Sequence, residues 1–90
     1  DIANAKLAAS LMRGKLHKLV LQEKVESNIV VLDLCNTNIT PAQFCKLAES
    51  KGLLIRPVLS HCIRLVFFKG TTADDAKKAA EILLELDQNL

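Results

Sequence analysis

The side chain with the clearest chemical potential is Arg64. It sits in Ile63-Arg64-Leu65-Val66-Phe67-Phe68-Lys69, a run that is otherwise apolar up to its final lysine. Side chains alternate faces along a strand, so Ile63, Leu65 and Phe67 are expected on one face and Arg64, Val66 and Phe68 on the other. A guanidinium keeps its charge, and burying it unpaired costs roughly 3 to 5 kcal/mol. Arg64 therefore snorkels to water at a sheet edge, pairs with an acid of the same chain, or receives an anion from outside. The sequence physics leaves all three open.

The other reactive side chains give weaker patterns. Cys35, Cys45, Cys62, His17 and His61 have neither C-x-x-C nor H-x-x-x-H spacing, and Cys35 and Cys45 fall on different elements, so no metal site is expected. His61 and Cys62 are neighbours, but successive strand residues point opposite ways, so they are not expected to act as a base and a nucleophile. The expected roles are buried, reduced thiols and a turn histidine. Phe67 and Phe68 are consecutive rather than alternate, which does not match an RNA-stacking strand. There is no Gly-rich phosphate loop, no helix-spaced carboxylate pair, and no lysine in an apolar pattern suited to a Schiff base.

These residues must be held by a single domain of 90 residues. Half of the residues are hydrophobic and all three aromatic residues are Phe, so the core is aliphatic. A formal net charge of +2 gives no electrostatic case for nucleic acid or an anionic membrane. No apolar run approaches the ~20 residues that a bilayer span needs. With no signal-peptide pattern and irregularly spaced cysteines, a cytoplasmic setting is expected. The chain starts at Asp1 and reads as helical at once, as expected of a fragment of something longer.

Taken in order, Asp1 is placed to cap a helix whose stripe is Ile2, Ala5, Ala9, Met12 and Leu16, with its stop at Gly14 or an extension through Lys15 to Lys18. Leu19-Val20-Leu21 is expected to form a short edge strand, and Asn28 to Leu34 a buried one. Thr40, Pro41 and Gln43 spell a capped helix start, with Phe44, Leu47 and Ala48 facing the core and Gly52 ending it. Leu53 to Val58 reads as a strand that Pro57 places at an edge or a bulge, and Leu59-Ser60-His61 turns it into the Arg64 strand. Thr72 and Asp75 form a second capping box, ahead of a helix burying Ala76, Ala79, Ala80, Leu83 and Leu86. The order α-β-β-α-β-β-α predicts an α+β domain, with a three- to four-stranded, mostly antiparallel sheet and helices on one face. Apolar residues on both faces of the Ile29 and Arg64 strands leave one face for another domain or subunit.

Several stretches in this order resemble the C-terminal small domain of the low-specificity L-threonine aldolases, enzymes of the aspartate aminotransferase-like fold that depend on pyridoxal 5'-phosphate. Asp1-Ile2-Ala3-Asn4-Ala5-Lys6-Leu7-Ala8, Glu26-Ser27-Asn28-Ile29-Val30, Gly52-Leu53-Leu54-Ile55 and Ile63-Arg64-Leu65-Val66 carry the resemblance, which covers nearly the whole chain. It implies reversible cleavage of L-threonine or L-allo-threonine to glycine and acetaldehyde, with Arg64 binding the substrate carboxylate. It also implies a large cofactor-binding domain on the same chain and assembly into dimers or tetramers. The Schiff-base lysine and phosphate cup belong to that large domain, so this stretch alone is expected to be inactive and to bind no cofactor. The family continues its R-L-V strand with Thr-His, where this chain has Phe67-Phe68. From the residues alone, a free-standing α+β module that binds protein through its uncovered sheet face is the other reading.

Overall fold

The computed structural model describes residues 2–90; the cap expected at Asp1 lies outside them. The elements are α1 (Ile2–Met12), β1 (Val20–Leu21), β2 (Ile29–Asp33), α2 (Pro41–Ser50), β3 (Arg56–Val58), β4 (Cys62–Val66) and α3 (Ala73–Gln88). The fold is α+β with one four-stranded sheet in the order β1-β2-β4-β3, and every neighbouring pair is antiparallel. No helix among the described residues is long and apolar enough to cross a membrane.

The core lies between the sheet and the helices. Val30 and Leu32 of β2 and Ile63 and Leu65 of β4 are all buried, and Phe67 extends their row. Asn28 and Phe67 prolong the β2–β4 pairing past the strand ends: the Phe67 N–H donates to the Asn28 carbonyl at 2.8 Å, and Asn28 Nδ2 donates to the Phe67 carbonyl at 3.1 Å. The helices meet through small residues. Ala5, Ala8 and Ala9 of α1, and Ala76, Ala79 and Ala80 of α3, are buried where the two helices pack, and small side chains let backbones approach closely. Phe44 of α2 is fully buried and brings that helix down on β3 and β4.

Both expected capping boxes form. Thr40 and Gln43 exchange side chain-to-backbone bonds with Pro41 at the first turn, and Thr72 and Asp75 do the same at the start of α3. Asp75 accepts from the Thr72 N–H, and that bond, with the Thr72 hydroxyl, lowers its carboxyl from the ordinary value. Thr72→Ala leaves the Asp75 N–H without its acceptor. It is expected to cost about 1 kcal/mol in urea denaturation, against little change for a swap to Ser.

Gly14 and Gly52 follow α1 and α2 with φ of +80° and +87°, the left-handed turn that stops a helix and suits glycine. Three expectations need correction. Leu47 is 44% exposed, because α2 tilts its Phe44–Ala48 edge rather than its whole apolar stripe into the core. The third strand begins at Arg56, not Leu53: its ladder with β4 starts at the Arg56–Arg64 pair, and Leu53 to Ile55 leave it although Leu65 and Val66 continue β4. Only Cys62 is buried; Cys35 is exposed and Cys45 half-buried.

Candidate functional site

The sheet face turned away from the helices carries the candidate chemistry. Residues directly opposite each other in antiparallel strands share a face, so the ladder fixes its rows. Val20, Asp33, Cys62 and Val58 form one row across all four strands. Val31, Arg64 and Arg56 form the next, and Ile29 with Val66 the last. No helix covers this face, and Leu54 and Phe68 at its margin are 62% and 69% exposed.

Arg64 is exposed at the middle of this face. Among the described residues no hydrogen bond or ion pair holds its guanidinium, so the acid partner weighed from the sequence is not found there. Its direct neighbour is Arg56 of β3. Like charges facing each other across a ladder are destabilising by a few tenths of a kcal/mol, roughly. The two guanidinia share a shallow pocket of about 90 Å³ with Leu54, Ile55, Val66 and Phe68. An anion bound there would meet two cationic forks on an apolar floor, a setting suited to a carboxylate. Arg56 was not singled out by sequence reasoning, although its position was available. The three-residue turn pairs Val58 with Cys62, which sets Arg56 opposite Arg64.

A second cluster gathers one row away. Asp33, His61 and Cys62 each bring a ligand-type atom within 4.8 Å of the others. His61 Nε2 lies 3.4 Å from Asp33 Oδ2. Sequence reasoning expected a turn histidine beside a buried cysteine, and both are found so, yet their side chains approach each other. His61 precedes β4 in the turn, beside Leu59 with φ of +58°, so the alternation rule does not reach it. Its carbonyl accepts from the Leu34 N–H at 2.8 Å, which fastens the turn to the end of β2. Asp33 was overlooked because nothing in a lone aspartate at a strand end marks it.

The Asp33 carboxyl is held below its ordinary value, first by the Cys35 N–H, which donates to Oδ1 at 2.7 Å, then by the Cys35 thiol and by His61. Both thiols are raised: Cys35 chiefly by its hydrogen bond to Asp33, Cys62 chiefly by burial and then by the Asp33 charge. Raised thiols are protonated at neutral pH, which argues against a free nucleophilic cysteine here. Cys45 on α2 and His17 before β1 do not join this group.

Every lysine of the chain is exposed. A Schiff-base lysine needs a desolvating pocket, which burial within this chain gives to none of them. A depression of about 550 Å³ between the end of α2 and α3 is lined by side chains of both charges, among them Lys51, Lys78, Asp75 and Glu81. Compared with known proteins, the chain matches no family model and no curated protein.

Proposed function

We propose that this chain is the small domain of a threonine-aldolase-like enzyme dependent on pyridoxal 5'-phosphate, and that Arg64 binds the substrate carboxylate. The observation that carries the reading is an exposed guanidinium, unpaired among the described residues, on the sheet face that the helices leave open. A planar guanidinium meets a carboxylate through two parallel N–H···O bonds, which fixes position and orientation together. The cofactor would supply the electron sink for carbon–carbon cleavage, and it belongs to a large domain elsewhere in the protein. This chain contributes the clamp alone and is inactive without that domain. The apolar remainder of the open face is suited to the large domain or to a second subunit of a dimer or tetramer. Three cysteines without disulfides support a cytoplasmic parent.

Exposure of Phe68, Leu54 and Val20, at 69%, 62% and 44%, favours a second reading, a free-standing module that docks protein on this face. Intact mass and visible absorbance of the native polypeptide separate the two. The aldolase reading expects a chain several times longer, the absorbance of a bound pyridoxal cofactor, and release of glycine and acetaldehyde from L-threonine or L-allo-threonine. A colourless native product of 90 residues would sink it.

A further inference from the structure

The Asp33–His61–Cys62 cluster is left unexplained by a carboxylate clamp, and its three ligand-type atoms lie within 4.8 Å of one another. Asp33 Oδ1 is already engaged by the Cys35 N–H at 2.7 Å, so Oδ2 is the oxygen turned to His61. Ser60 Oγ lies 3.1 Å from His61 Nδ1, which leaves Nε2 for the cluster. A metal-bound histidine usually has its second ring nitrogen held in this way. The 3.4 Å between Nε2 and Oδ2 is too long for a good charge-assisted hydrogen bond. It does match the edge of a tetrahedral zinc site, about 3.3 to 3.7 Å for bonds of ~2.0 to 2.3 Å. Cys62 Sγ lies within 4.8 Å of both partners, so it needs to move by at most about 1.5 Å to complete that edge length.

We propose that Asp33 Oδ2, His61 Nε2 and Cys62 Sγ bind a zinc ion whose fourth position opens on the groove beside them. That groove, of about 380 Å³, is lined by Val20, Leu21, Gln22, Glu23 and Val31 together with Asp33 and Cys62. One thiolate, one imidazole and one carboxylate form a borderline-soft set that favours zinc over magnesium or calcium. Binding forms a zinc–sulfur bond and releases the Cys62 proton to solvent, with no change of oxidation state. A dication with one thiolate and one carboxylate is neutral overall, so the bound site would not repel Arg64 one row away. The ion would clip the β3–β4 turn to the end of β2. This inference stands independently of the aldolase reading, since it uses none of the residues that carry that proposal.

The test is titration of the metal-free native protein with Co²⁺, followed by displacement with Zn²⁺. Expected are one ion per chain, a sulfur-to-cobalt charge-transfer band in the near ultraviolet, and visible bands of tetrahedral intensity. Cys62→Ser abolishes the charge-transfer band. His61→Gln, an exposed turn substitution that leaves the core intact, weakens zinc affinity at least about tenfold, as does Asp33→Asn. Cys35→Ser and Cys45→Ser keep the band. Its absence from the unmodified protein, its survival in Cys62→Ser, or its loss with Cys45→Ser would each overturn the assignment. So would unchanged affinity in His61→Gln.

Discussion

Replacing Asp87 with alanine is expected to remove about 3 to 5 kcal/mol of stability, much of what a domain of this size possesses. Asp87 is 1% exposed, the one buried charged side chain among the described residues. Its carboxylate accepts three backbone N–H groups: His17 on Oδ2 at 2.7 Å, and Lys18 and Leu19 on Oδ1 at 2.9 and 2.8 Å. Those donors belong to the segment between α1 and β1, which makes no ladder or helix bonds with them. Alanine strands all three, at about 1 to 3 kcal/mol for each donor that water cannot reach. Asparagine keeps one accepting oxygen and is expected to lose less than alanine. Urea denaturation of the two variants checks this order. An alanine variant within about 1 kcal/mol of the parent would mean that the segment finds other acceptors.

The same carboxylate predicts a pH dependence. Burial pushes its pKa up, and the N–H groups of Leu19, His17 and Lys18 outweigh that, so the net shift is downward. A depressed native pKa gives stability that is fully present above the unfolded value, near about 4. It is lost as pH falls through the lower native value. The stability gap between the parent and Asp87→Asn should therefore be constant near neutrality and narrow below about pH 4. A gap that widens on acidification would contradict the assignment.

Asp87 also marks the limit of what could be read from the sequence. The stripe Ala76, Ala79, Ala80, Leu83 and Leu86 was legible because period and hydrophobicity agree, and all five residues are buried. One residue after Leu86, an acid reads as the solvated end of the helix. It is buried because a distant segment supplies donors, and local pattern contains no information about that segment. The capping boxes at Thr40 and Thr72, and the opposite faces of Phe67 and Phe68, were legible for the converse reason: each is decided within four residues. Arg64 was legible as an anomaly in an apolar strand. Its neighbour Arg56 required the hairpin register, and the Asp33–His61–Cys62 group required a turn that leaves the strand rule behind.

If the aldolase reading holds, Arg64→Ala in the full-length, cofactor-loaded enzyme is expected to lower kcat/KM for L-threonine by about 10²- to 10³-fold, the loss of a charge-assisted, orienting contact. Its effect on folding should have the opposite character. Arg64 has no partner to lose among the described residues and faces Arg56, so the alanine variant should be as stable as the parent or a few tenths of a kcal/mol more stable, roughly. Lysine at this position keeps the charge and loses the fork, and should recover only part of the efficiency. Arg56→Ala gives a graded comparison: its guanidinium adds positive potential from the edge strand, so a smaller loss is expected. A rim or docking role for Arg64 predicts none of this split, because it would leave catalysis alone and alter association. Unchanged kcat/KM in Arg64→Ala would remove the clamp, and with it the main support for an aldolase. Lost activity together with an unfolded chain would instead show that Arg64 holds the sheet, which its exposure and lack of partners argue against.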